Sequence, residues 1–181
     1  MNKEALKELF STGLYLLIVL LATWFIITFV GQRTVVDGTS MNPYLNDKDQ
    51  LIVDKLSYRF HEPERFDIVV FPFRYEKNTK YIKRIIGLPG ETVQIDMDGN
   101  IYINGEKLEE NYGKEVIEPD MIGRAIEPVT LGEDEYFVMG DNRNNSSDSR
   151  TEIVGNVSRE EIIGRALVRI WPLNEIGFVT E

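Results

Sequence analysis

The chain has 181 residues, of which 43% are hydrophobic, and a formal net charge of −10. That allows one folded domain of ordinary size with an appendage and is too short for two full domains. The acidic balance argues against nucleic-acid binding, which needs a basic footprint. With no cysteine, a disulfide framework, a thiolate metal site and a Cys nucleophile are all excluded.

Residues 9–30 carry no charge. A helix of that length spans the ~30 Å hydrocarbon core of a bilayer. Trp24, Phe25 and Phe29 fall in its second half, where aromatic side chains meet the interface. The run exceeds the apolar stretch of about 7–15 residues in a cleaved signal peptide, and Gly31-Gln32-Arg33-Thr34 is not a small-x-small cleavage site. A retained anchor is therefore expected. Lys3 and Lys7 precede it, so the short N-terminus is expected on the cytoplasmic side. The expected organisation is residues 1–8 cytoplasmic, 9–30 transmembrane and 31–181 an extracytoplasmic domain.

Beyond the anchor, β-branched runs alternate with turn signals. Strands are predicted at residues 50–54, 67–71, 81–86, 92–96, 101–103, 135–139 and 164–171. Asp98-Gly99, between the fourth and fifth of these, is the strongest hairpin signal in the chain. Ser158-Arg159-Glu160-Glu161 reads as a capping box opening a short helical turn. Residues 109–128 are acidic and aperiodic and read as a surface excursion. The fold class is mainly β, with antiparallel sheets closed or folded over.

Three segments have chemical potential. In Gly38-Thr39-Ser40-Met41-Asn42-Pro43, a serine lies between a flexible glycine and a stiffening proline, which suits a nucleophile on a turn with backbone N–H groups free for an oxyanion. An ordinary turn is the bland alternative. In Tyr81-Ile82-Lys83-Arg84-Ile85-Ile86-Gly87, a lysine interrupts a β-branched run. It is either an edge-strand charge that discourages aggregation or a desolvated amine. Burial and the neighbouring Arg84 would then lower its pKa until it could take a serine proton. The third is Gly140-Asp141-Asn142-Arg143-Asn144-Asn145-Ser146-Ser147-Asp148-Ser149-Arg150. It is either a solvated loop or a polar scaffold in which a hydroxyl orients the amine and Asp148 pairs with Arg150. His61, the single histidine, lies in a loop next to Glu62-Pro63, so a general base is expected elsewhere.

Taken together with residues 67–71 and the extension of the lysine segment to Leu88-Pro89-Gly90, these segments resemble the signature motifs of type I signal peptidases, in order and behind an N-terminal anchor. The resemblance reaches from the anchor to about Pro172. It implies a Ser40/Lys83 dyad on a mostly antiparallel β fold, with Ser146 positioning the lysine amine and Asp148 and Arg150 supporting the loop. Arg84 and Asp141 fall at motif positions with structural roles, and the Ser40 N–H is the implied oxyanion donor. Some relatives add a serine hydroxyl two residues before the nucleophile; here that position is Gly38, as in short single-anchor bacterial enzymes. Tyr44 stands where the family usually has threonine and is expected to reshape the floor beside the nucleophile.

The implied substrate is a signal-peptide-bearing preprotein cut after small residues at −3 and −1, with no metal or organic cofactor. The partners are the bilayer and, by proximity, the export translocon. Met41, Leu45, Tyr81 and Ile82 are the expected pocket walls. Ser40 lies ten residues past Val30, so extended chain allows at most about 36 Å from the membrane. A non-catalytic homologue that binds signal-peptide-like segments is the principal alternative. A self-cleaving repressor and a tethered adhesion module are weaker ones.

Overall fold

A computed structural model describes residues 3–25 and 31–179. Helix α1, Lys3–Phe25, starts earlier than the expected span; residues 26–30 of that span lie outside the described residues. Its window Lys7–Phe25 is, among the described residues, the one helix long and apolar enough to cross a membrane, and none of that window is buried.

Among the described residues, twelve short strands follow in chain order: β1 Gly31–Val35, β2 Gln50–Asp54, β3 Ile68–Pro72, β4 Lys80–Gly87, β5 Thr92–Ile95, β6 Ile101–Ile103, β7 Glu106–Lys107, β8 Val129–Thr130, β9 Glu135–Met139, β10 Val157–Ser158, β11 Gly164–Trp171 and β12 Gly177–Phe178. They form two antiparallel sheets. The larger has the order β1-β2-β11-β3-β4-β9-β10 with β12 alongside β11; the smaller is β7-β6-β5-β8. The predicted hairpin is β5–β6, in register Val93 to Ile103, and Gly99 between them has φ +80°, a value that favours glycine.

Strand alternation builds the core. Val69 and Phe71 point into a cluster with Ile85, Tyr136 and Val138. Ile68 points the other way, to Val36, Met41, Leu45, Leu51 and Ala166. A third cluster joins the small sheet, through Val93, Ile95, Ile101 and Ile103, to Ile86, Phe137 and Met139 of the large one.

The capping box at Ser158 is formed with both reciprocal bonds and opens a short helical turn, the 3-10 turn Arg159–Glu161, as the sequence predicts. One expectation needs amendment. Residues 109–128 are not simply a surface excursion: Ile117, Ile122 and Ala125 are buried in the third cluster. Ile117 precedes the 3-10 turn Pro119–Met121, Ile122 follows it, and Ala125 lies within the 3-10 turn Gly123–Ile126.

Candidate active site

β4 is paired with β3 from Lys80 opposite Pro72 to Arg84 opposite Ile68. On its other side β9 joins only from Arg84 onward. Residues 80–83 therefore present a bare strand edge. β1 is the outermost strand of the sheet, and the chain after it curls back toward that edge. The space between is a cleft of about 390 Å³ walled by Thr34, Val35, Val36, Val70, Tyr81 and Ile82, with Ser40 and Lys83 in its lining.

Ser40 is held from behind. Gly38 takes φ +102°, a conformation costly for a residue with a Cβ, and its N–H donates to Asp47 Oδ1 at 2.8 Å. The Ser40 carbonyl accepts from the Asn142 N–H at 3.0 Å. Asn142 Nδ2 donates to the Thr39 carbonyl at 3.0 Å, and Asn145 Nδ2 to Thr39 Oγ1 at 3.1 Å. The two loops approach so closely at Gly140 that a Cβ there would lie 2.4 Å from the Ser40 carbonyl oxygen and 2.3 Å from Ser146 Oγ. Only glycine fits.

Lys83 reaches the serine from the opposite wall. Its Nζ lies 2.8 Å from Ser40 Oγ and 2.9 Å from the Ile82 carbonyl, and 5.0 Å from the centre of the Tyr81 ring. Its residue exposure is 4%. Burial pushes the amine down to about 8, against the charges of Asp148 and Asp141, which pull it up; Arg150 adds a smaller push down. Arg84, expected to depress the amine, is not the cause. It points to the other face, where its guanidinium is paired in two bonds with Asp141, at 2.7 and 2.9 Å.

The polar loop is a scaffold rather than a solvated turn. Asp148 accepts from Arg150 Nε and Nη2, both at 2.8 Å, and from the Gly140 N–H at 3.0 Å. Burial works against its ionisation, but these donors outweigh it and hold the carboxyl below its ordinary value. Arg150 also binds the carbonyls of Met121 and Arg143. Ser146 Oγ is buried and makes no proper hydrogen bond; it faces Asp148, and the partner the lysine amine finds besides Ser40 is the Ile82 carbonyl.

Of the expected pocket residues, Tyr81 and Ile82 line the cleft. Met41 and Leu45 do not: both are fully buried behind the Ser40 turn. Their apolar character marks the turn's inner side, not the side that faces the cleft. Tyr44 also lies away from the cleft floor, with its ring 4.9 Å from the Arg84 guanidinium. His61 is exposed, its ring next to the Ser57 carbonyl. The sequence reading missed Asn142 and Asn145, which tie the polar loop to Thr39. The signal was the asparagine density of the motif, which reads equally well as turn chemistry.

Residues 9–171 match the family model described as signal peptidase, peptidase S26. The chain is 44% identical over 159 residues to a probable signal peptidase I-2 of Synechocystis, covering 85% of this chain and 69% of that protein. It is 46% identical to a signal peptidase I of Leptolyngbya laminosa over 83% of this chain and 73% of that one. A signal peptidase I of Bacillus licheniformis is 39% identical over 97% of this chain and 94% of its own length. A match of this extent, on a chain whose serine and buried lysine meet at the bottom of one cleft, means that the chain belongs to the signal peptidase family, peptidase S26.

Proposed function

We propose that the chain is a membrane-anchored serine endopeptidase that removes N-terminal signal peptides from exported proteins, with Ser40 as nucleophile and Lys83 as general base. The observation that carries this reading is the 2.8 Å contact between Lys83 Nζ and Ser40 Oγ at a lysine that is 4% exposed. An amine lowered to about 8 is partly neutral near physiological pH, and a neutral amine at that distance accepts the serine proton.

The reaction is an acyl transfer. The Ser40 oxygen attacks the scissile carbonyl while its proton passes to Lys83. The tetrahedral oxyanion faces the Ser40 backbone N–H. Gly38 contributes neither a hydroxyl nor a free N–H, since that N–H is bound to Asp47. Lys83 then gives its proton to the leaving amine, and the mature protein departs. Water, deprotonated by the same lysine, releases the acyl group and restores the serine.

The substrate reading rests on the cleft. An extended peptide laid between the outer edge of β1 and the bare edge of residues 80–83 would find backbone partners on both sides. Val36, Val70 and Ile82 leave shallow apolar space beside it, suited to small side chains. Helix α1 supplies the anchor, with the N-terminus cytoplasmic and the β domain on the far face.

The test is cleavage of a fluorogenic peptide with alanines at −3 and −1, in detergent or lipid, by wild type, Ser40→Ala and Lys83→Met. Cleavage after the −1 alanine by wild type alone supports the dyad. A folded but inert wild type would favour a homologue that only binds such segments.

A further inference from the structure

The polar loop that backs Ser40 is itself fastened from outside by residues 110–118. This irregular stretch connects β7 to the first of the 3-10 turns and crosses the loop at its start. Glu110 Oε1 accepts from Arg143 Nη1 at 2.7 Å, between side chains only 11% and 3% exposed. The other Glu110 oxygen accepts from the Tyr112 and Gly113 N–H groups, at 2.8 and 3.3 Å, which bends the stretch around the arginine. Burial opposes the ionisation of Glu110, but Arg143 and these two donors outweigh it and hold the carboxyl below its ordinary value.

Further along, the Lys114 N–H donates to the Asp141 carbonyl at 2.8 Å. Asn144 bridges both ways, its Nδ2 to the Val116 carbonyl and its Oδ1 from the Glu118 N–H, each at 2.9 Å. The Tyr112 ring lies 3.8 Å from the Arg84 guanidinium. Arg143 passes the tie inward: its Nε donates to the Gly140 carbonyl at 3.1 Å. Gly140 is the point where the loop touches Ser40, and Asn142, two residues on, binds both Ser40 and Thr39.

We infer that residues 110–118 act as a strap, and that Glu110 is a positioning residue for the Ser40 turn, acting through Arg143 and the loop at residues 140–145. Its carboxylate is the anionic partner of a buried guanidinium, whose Nη2 already lacks any bond. Without that carboxylate the arginine is left charged and unpaired in the interior and is driven to seek water, which slackens the loop against which Ser40 is seated. A displacement of the nucleophile by about 1 Å can cost about a hundredfold in rate. The rate consequence rests on the peptidase reading above; the fastening of the loop does not.

Two measurements on the full chain in detergent test this. In amide hydrogen exchange, Glu110→Gln should speed exchange at least about tenfold at Asn142 and Asn145 while leaving the β5–β6 hairpin unchanged. In the peptide assay, kcat should fall about tenfold or more with KM within twofold of wild type, and Glu110→Asp should recover most of it. Exchange at Asn142 unchanged, or raised equally throughout the domain, overturns the strap. Altered exchange with kcat unchanged in an active enzyme, or a loss confined to KM, overturns the positioning role of Glu110. If Glu110→Gln fails to fold, Asn144→Ala removes the second fastening without stranding a charge, and the same criteria apply to it. Local loosening in a chain whose wild type cuts nothing would leave the strap standing and overturn the peptidase reading instead.

Discussion

Lys83 Nζ and Ser40 Oγ stand 2.8 Å apart although their residues are 43 positions apart in the chain and reach each other from opposite walls of the cleft. The contact joins a strand whose outer edge is bare to a turn held from behind by a glycine-backed loop. The amine is dry because Tyr81 covers it and Ile82 supplies its second partner. On the proposed mechanism, this burial sets the pH at which the pair works.

Activity should follow the neutral amine. With the lysine at about 8, about one molecule in a hundred is competent two units lower. The value of kcat/KM should rise about tenfold per pH unit at first from pH 6, reach about half its maximum near 8 and level off above that. A pH–rate profile on a peptide without titrating groups measures this. A profile flat between pH 6 and 8 would mean that a group other than Lys83 takes the serine proton.

The same burial costs stability. Lys83 titrates lower in the folded protein than its ordinary 10.5. Between about pH 8 and 10.5 the unfolded chain therefore binds the extra proton, and stability rises with pH through that window. Below it both states are protonated and the full cost, on the order of 3 kcal/mol, is present. Lys83→Met should be inactive yet more stable than wild type by about 1–3 kcal/mol at pH 6, with the gain shrinking by pH 10.5. Denaturant melts at the two pH values decide it. A variant less stable at pH 6 would show that the amine's contacts to Ser40 and Ile82 outweigh its desolvation.

Pocket size should be set by Ile82. Its half-buried side chain faces the cleft next to the base. Replacing it with alanine removes three carbons from the wall, and each methylene-sized change in an apolar pocket is worth about 1–3 kcal/mol in selectivity. In Ile82→Ala, kcat/KM for a valine at −1 or −3 should rise at least about tenfold relative to alanine. Competition between paired peptides measures the ratio. An unchanged ratio at both positions would place the size filter on Val36 and Val70.

Local signals made the strands legible. The runs at 50–54, 101–103, 135–139 and 164–171 coincide with β2, β6, β9 and β11, because β-branched alternation between turn residues has few other outcomes. The serine and the lysine were marked by their motifs, but not the way they meet. That depends on β9 leaving residues 80–83 unpaired, a non-local property of sheet order that no run of residues encodes. Met41 and Leu45 were misplaced for a related reason: an apolar residue next to a nucleophile fits a pocket wall or a core equally well until the turn's direction is known. The strap at residues 110–118 carried no periodicity, because its fastening is made by single carboxylate, amide and backbone groups.

Tyr44 gives the last prediction. Its departure from the family's threonine suggested an altered cleft floor, yet the ring packs 4.9 Å from the Arg84 guanidinium, with Tyr112 also on that cation at 3.8 Å. The Arg84–Asp141 pair is buried to 1% and 0% side-chain exposure, where a cation over an aromatic face is worth about 1–2 kcal/mol. Tyr44→Thr should therefore lower stability by about that much, a fall in Tm of several degrees for a domain of this size. Preference at −1 and −3 should stay within twofold, since Tyr44 is not part of the cleft lining. Thermal melts and paired-peptide competition on one preparation separate the two effects. A shifted preference with an unchanged melt would mean that the tyrosine acts on the nucleophile turn, four residues upstream, rather than on the buried ion pair.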